Sequence, residues 1–431
     1  MIQKVWRHLK RYNPYSVYAA KSELKSEVSA SYLTWIWWIL DPVLFMLVYV
    51  FITVVVFRTE GEYLPVVVII GLTVWNFFNK NVSISVKIVN TFKGIVSKIY
   101  IPKYMLILEK MYVNFFKMMI SFGIVAGFMI AYGIPFRLQL LYCIPLLVLV
   151  FILTLACSVI VAHFGVYVND LYNIVQVILR FMFYLSGVFY DIGDRLGNRI
   201  FMGIDIGWLM THVNPVAYLI NEFRQIIIYG EALRPMMFLY WLAFSVVLLG
   251  IGLFLMYRHE NNYVKWLRHE RTCDRGQDVH VRYRSMKSFS LRKSLGQIRQ
   301  RRDSYEALRG VSFTVPKGKI IGIIGKNGSG KSTLLKTIAG VFSPDEGTID
   351  TFGNRLSLLA IGIGFQTMLS GYENIFLSGL LLGFTEKEIR ARLPEIIEFS
   401  ELGDLSISQC GYSAAFKLAF SITAFLTQRS S

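Results

Sequence analysis

The sequence predicts a membrane all-α segment of six spans followed by a partial α/β phosphate-loop domain, and three observations carry that prediction. Hydrophobic residues make up 54% of the 431 positions, above the ~45–50% apolar share of soluble domains, and the mean hydropathy is +0.48. The apolar residues concentrate before Arg258, so one average conceals two unlike halves. Past that point the chain carries "GKNGSGKST" from Gly325 to Thr333, the GxxxxGK[ST] spacing of a phosphate-binding loop.

Residues 1–34 include "WRHLKRYNPYSVYAAKSELKSEVSASYLT", a basic amphipathic stretch. It suits either a helix lying in the membrane interface or an ordinary solvated leader. This polar start precedes any apolar run, so no secretory signal peptide is expected. A helix needs ~20 apolar residues to cross the hydrocarbon core. That criterion places spans at about 36–57, 63–79, 111–132, 139–167, 172–190 and 236–256. Trp35, Trp37 and Trp38 read as interfacial anchors. The third span contains Lys117, and the fourth is long enough to tilt or protrude. Asp41-Pro42 admits two readings: a helix start, with Asp as cap and Pro in the first turn, or an acid with a functional role.

Basic residues set the orientation. The N-terminal segment holds Lys4, Arg7, Lys10, Arg11, Lys21 and Lys25, and the loop after span two holds Lys80, Lys87, Lys93, Lys98 and Lys103. The loop after span one has only Arg58, beside Glu60 and Glu62. This asymmetry predicts a multi-pass protein of the cell membrane with both termini cytosolic. The stretch "SGVFYDIGDRLGNRIFMGIDIGWLMTHVNPVAYLINEFRQIIIYG", broken by Gly and Pro, reads as an outer loop or as short helices that re-enter the membrane.

From Arg258 to Ser304 the composition changes to thirteen Lys or Arg and five acids. Attraction to anionic lipid is the simplest role for such a linker. The net charge of +17 comes without any groove-reading motif, so nucleic acid is not an expected partner. Cys143, Cys157, Cys273 and Cys410 are scattered, and the six histidines are dispersed. Neither a disulfide framework nor a metal cluster is expected.

After Tyr305 the pattern turns to soluble α/β. "KIIGII" reads as a buried strand, Gly325 to Gly330 as a flexible loop, and "STLLKTIAGV" as a helix start. Glycines let backbone N–H groups converge on phosphates, and the helix N-terminus adds donors and a favourable dipole. Lys331 is expected to reach the β- and γ-phosphates of ATP, and Ser332 to ligate Mg²⁺. Downstream, "SPDEGTIDTFG" reads as a turn and hairpin, and "EKEIRARLPEIIEFSEL" as an amphipathic helix.

At these residues the chain resembles ABC exporters of lipid-linked cell-surface polymers: teichoic acids, O-antigens and capsular polysaccharides. "KSELKSEVSASYLTWIW", "GIVSKIYIPKYML" and "NPVAYLINEFRQIIIYG" resemble the permease, in order and spacing. From about Val279, "EALRGVSFTVPKGKIIGIIGKNGSGKSTLLKTIAGVFSPDEGTI" and "LSLLAIGIGFQTMLSGYENIFLSGLLLGFTEKEI" are similar to the matching ATPase subunit. The resemblance implies a permease over 1–256, a basic linker and entry over 257–304, and an ABC nucleotide-binding domain, truncated, over 305–431. It implies Gly325, Asn327, Gly328, Gly330, Lys331, Ser332 and Thr333 as phosphate- and magnesium-binding positions. Tyr305 is implied to stack near adenine, and Gln366 to link Mg²⁺ to the permease. A coupling helix is implied between Lys93 and Lys103.

Two departures follow. Where the family has a Ser-Gly signature, this chain has "YSAAFKLAFSITAF" from Tyr412, with Ala414 and Ala415 in those places. No apolar strand ending in Asp-Glu follows Gly340, and the Asp345-Glu346 pair sits in a Pro/Gly turn. Phosphoryl transfer needs several parts acting together, so no catalytic residue is assigned. The expected function is ATP-driven export of a lipid-linked polymer by a homodimer. The alternatives are a nucleotide-binding permease that depends on an intact partner ATPase, or an ABC exporter of drugs or small lipids.

Overall fold

The computed structural model describes residues 2–30, 33–56, 63–96, 99–168, 170–190, 192, 200–201, 204–259, 281–284, 304–308, 311, 313, 322–326, 329–339, 348–349, 365–366, 369–400 and 421. Helix α1 spans Ile2–Ala30, with Pro14 inside it. Its buried positions Tyr12, Tyr15, Ser16, Ala19 and Ala20 recur three and four apart, the stripe of a helix with one face turned inward. Protein covers that stripe. Ser16 Oγ donates to the Met105 carbonyl at 3.3 Å, and Tyr112 Oη donates to Asn13 Oδ1 at 2.7 Å.

Helix α2 covers Thr34–Phe51 and runs into a wider π turn at Ile52–Val56. It starts upstream of Asp41-Pro42 and passes through both residues. Asp41 is therefore no helix cap, because the preceding apolar residues already form two turns. Helix α3 (Leu64–Thr91) is the hub of the bundle. It packs against α2, against α4 (Lys93–Val96) and α5 (Lys103–Ala131), and against α6 (Cys143–Gly165) and α7 (Leu171–Leu185). Its polar residues bond inside the bundle: Asn114 Nδ2 on α5 donates to Asn81 Oδ1 at 2.9 Å, and Gln176 Nε2 on α7 donates to Ser83 Oγ at 2.8 Å.

Among the described residues, five helical stretches are long and apolar enough to cross a membrane: Trp35–Val55, Leu64–Thr91, Lys103–Ala131, Leu138–Gly165 and Pro235–Arg258. The second and third extend well beyond the expected 63–79 and 111–132, because Lys-bearing turns continue each helix past its apolar core. At 15 residues, α7 is about 22 Å long, short of the ~30 Å hydrocarbon core. The expected fifth span over 172–190 is therefore a shorter helix followed by a turn.

Much of the stretch between α7 and the last span is helical. After the short β1 (Ile200–Phe201) and β2 (Ile204–Asp205) pair come α8 (Ile206–Val213), α9 (Pro215–Arg224) and a π turn at Gln225–Tyr229. Asn214 caps α9 by accepting from the Val216 and Ala217 amides. Every residue from Val216 to Arg224 is buried, and α9 packs on α3 and α6. The described part from Val216 to Arg224 is folded into the bundle, unlike a plain outer loop. Helix α10 (Pro235–Arg258) then lies along α6.

Beyond Arg258, β3 (Val281–Arg284) pairs antiparallel with β4 (Ser304–Leu308). Helices α11 (Lys331–Ile338), α12 (Gly371–Leu381) and α13 (Glu386–Ser400) follow. The strand expected from "KIIGII" is not borne out where it is described. Gly322–Lys326 has no strand pairing, and Ile324 is 98% exposed. An apolar run becomes a buried strand only when neighbouring strands pair with it.

Candidate nucleotide site and its junction with the helical bundle

The phosphate loop turns into α11 at Gly330, whose φ of +87° lies in the left-handed region that glycine adopts at no steric cost. The turn carries Lys331 back over the loop. Its Nζ donates to the Gly325 carbonyl at 2.6 Å, the Lys326 carbonyl at 2.7 Å and Ser329 Oγ at 3.4 Å. A Cβ on Gly325 would stand 2.8 Å from Ser329 Oγ, so a side chain there would displace the Ser329 hydroxyl. Ser332 is exposed in the first turn of α11, while Thr333 and Leu334 are buried. Strand β4, which contains Tyr305, packs against α11. Asn327 and Gly328 lie outside the described residues.

These residues fit a nucleotide phosphate chain: a helix N-terminus, a glycine turn and a lysine over the loop. For Mg²⁺ the described residues at the start of α11 offer the exposed hydroxyl of Ser332. That sparse set suits an ion that keeps waters and takes its other ligands from phosphates. Among the described residues, no group of three or more His, Cys, Asp or Glu could hold a metal.

Gln366 is half-buried, and its backbone is fixed by a residue that sequence reasoning missed. Its N–H donates to Asn374 Oδ1 at 2.8 Å. Asn374 Nδ2 donates to the carbonyls of Gln366 at 3.0 Å, Ser370 at 3.0 Å and Leu369 at 3.3 Å. Asn374 is fully buried. Ser370 and Glu373 form a capping box at the start of α12. The S-x-x-E spacing of "SGYE" was the available signal.

Helix α12 meets the bundle through α1. Lys25 Nζ lies 2.5 Å from Glu373 Oε1, and Tyr18 stacks on Phe376 with ring centroids 5.9 Å apart. Burial alone would raise the Glu373 carboxyl. Hydrogen bonds from Lys25 and Ser370 outweigh it and hold the pKa below its ordinary value. On its other side α1 is tied to α5 by Glu23–Lys110 and Glu27–Lys117, each 2.7 Å. The expected coupling segment does contain a short helix, α4, but the ion pair to α12 comes from α1. The altered signature from Tyr412 to Phe420 lies outside the described residues.

Among the described residues the chain combines a helical bundle with five membrane-length helices and a phosphate loop on a helix N-terminus. Residues 17–228 match the ABC-2 type transporter family, and residues 308–375 match the ABC transporter family. Both matches fall within this one chain, the first on the helical bundle and the second on the segment that holds the phosphate loop.

Over part of its length the chain is similar to an O-antigen export system ATP-binding protein of Myxococcus xanthus, 49% identical over 132 residues, or 30% of this chain and 30% of that one. The Klebsiella pneumoniae protein of the same description is 51% identical over 100 residues, 23% of this chain and 41% of the relative. A teichoic acids export ATP-binding protein of Bacillus cereus is 54% identical over 97 residues, 22% of this chain and 18% of the relative. The chain spans less than half the length of each.

Proposed function

We propose that the protein exports a lipid-linked cell-surface polymer, an O-antigen-type polysaccharide or a teichoic acid, across the cell membrane under the control of ATP. The observation that carries this reading is α1, one helix bonded both to α5 of the bundle and to α12, which fixes Gln366. The identity of the ATP-binding relatives supports polymer as the substrate class. Residues 1–256 form the permease, with α7 and the turn after it as a sixth crossing. Residues 257–304 form the linker and 305–431 the nucleotide-binding part. Both termini are cytosolic.

Gly325, Asn327, Gly328, Gly330, Lys331, Ser332 and Thr333 hold the phosphates, Ser332 and Gln366 face Mg²⁺, and Tyr305 stacks near the adenine. Bound Mg²⁺ supplies charge neutralisation on the phosphates. Lys331 exchanges loop carbonyls for phosphate oxygens. Asn374 keeps the Gln366 turn in place, and Lys25 carries a displacement of α12 to α1. The working unit is a homodimer, or a complex with an intact ATPase subunit. Ala414 and Ala415 in the signature positions favour the second arrangement, because the hydroxyl and the close approach of glycine are lost.

The test is ATP hydrolysis and polymer export by the purified chain in lipid nanodiscs and in cells, with Lys331→Ala as control. Export abolished by Lys331→Ala supports the reading, and export unaffected by it rejects it. Nucleotide binding without turnover, restored to turnover by an added ATPase subunit, selects the complex over the homodimer.

A further inference from the structure

A cavity of about 210 Å³ opens between α2, α3 and α5. Trp37, Trp38 and Asp41 line it from α2, Asn76 and Lys80 from α3, and Lys117 from α5. We propose that it binds the sugar-phosphate head group of a lipid, which enters sideways from the membrane. The identification of that lipid as the exporter's substrate rests on the function proposed above.

Three observations carry the assignment. Ionisable side chains within spans are costly and mark partners or ligands. Lys117 has such a partner in Glu27. Asp41, Asn76 and Lys80, in contrast, make no side-chain hydrogen bond or ion pair with any described residue. Next, the groups are of the kinds a sugar phosphate needs. Indole faces stack on the apolar face of a sugar ring, a carboxylate and an amide bond to its hydroxyls, and a lysine holds phosphate as a point charge. Trp38 and Lys117 are adjacent, with the ammonium 5.4 Å from the ring centroid, so one ligand can meet both.

Finally, size and access agree. The volume lies below the ~300–1,000 Å³ of ordinary small-molecule pockets, which suits one head-group unit and excludes a polymer segment. Trp37 is 55% exposed and Lys80 is exposed, so the mouth faces outward. Through Glu27 the pocket sits on the same end of the bundle as α1 and α12.

The test uses the full chain in nanodiscs without ATP, titrated with a polyprenyl diphosphate carrying one N-acetylhexosamine. Parallel titrations use phosphatidylglycerol nanodiscs, a soluble nucleoside diphosphate sugar and inorganic phosphate. Indole emission and hydrogen exchange over α2 are the readouts. Binding of the polyprenyl sugar that weakens about tenfold or more in Lys80→Gln and in Asp41→Asn, with the emission change lost in Trp37→Phe, is the expected result. Folding of each variant is checked by its elution as a monodisperse species and its retained ATP binding.

Binding unchanged in all three variants overturns the site. Equal binding in phosphatidylglycerol alone overturns the sugar specificity, and equal binding of the soluble compounds overturns lateral lipid entry. Loss of head-group binding with export intact rejects the pocket alone. Intact binding in a chain that exports no polymer rejects the export reading alone.

Discussion

Lys25 and Glu373 lie 348 positions apart in the chain, yet their side chains meet at 2.5 Å. The pair fastens the first helix of the membrane part to the first turn of α12, one residue before the asparagine that fixes Gln366. Lys25 is 67% exposed and Glu373 16%, so the pair adds only about 0.2–1 kcal/mol to stability. Its effect is expected in coupling. On the proposed export function, Lys25→Glu should lower nucleotide-dependent export several-fold with little change in melting temperature. The double variant Lys25→Glu, Glu373→Lys should restore much of it. A double-mutant cycle with no restoration would show that the pair does not couple the two parts.

The same pair has a defined pH dependence. The folded state holds Glu373 below its unfolded value, so its contribution is complete above the unfolded carboxylate pKa of ~4.3. It is lost as pH falls through the depressed folded pKa. Hydrogen exchange in the first turn of α12 should be flat from neutral pH to about 5 after correction for intrinsic rates. Protection should then fall on further acidification in the native chain, and not in Glu373→Gln.

Asn374→Ala removes the groups that satisfy the Gln366 N–H and three carbonyls. Leaving buried backbone groups unpaired costs about 1–3 kcal/mol each, partly recovered where water enters. The expected outcome is a loss on the order of 2 kcal/mol in the stability of the ATP-binding part and faster proteolysis near Gln366. Asn374→Asp keeps the acceptor but not the donor, and should recover only part of the loss.

Arg224 is the largest fully buried side chain among the described residues. Its guanidinium donates to the carbonyls of Val67, Gly187, Val188 and Tyr190 at 2.7–3.0 Å. It staples α9 to the start of α3 and to the turn after α7. Lysine has no fork with which to bridge these carbonyls. Arg224→Lys should therefore cost on the order of 3 kcal/mol, read as a lower melting temperature in detergent. Gly71→Ala should act at the same place, since its Cβ would stand 2.5 Å from the Val188 carbonyl and 2.7 Å from Arg224 Nη2. The two defects should be strongly non-additive when combined.

The sequence by itself determined the features written in local order. Membrane-length helices are legible because apolar runs declare their own burial, and the phosphate loop because its glycines, lysine and hydroxyl must be consecutive. The amphipathic face of α1 was equally legible in its spacing. What covers that face was not: the sequence suggested a membrane interface, and the tertiary structure supplies α5 and α12.

Asp41 shows the same limit. Its place before Pro42 reads as a helix cap, yet α2 begins earlier and Asp41 opens onto a cavity shared with α3 and α5. Arg224 and Lys25 carry no local mark, because their partners lie up to 348 residues away. Hydrogen bonds and ion pairs act over a few ångströms of space, and only the folded chain decides which residues come within that reach.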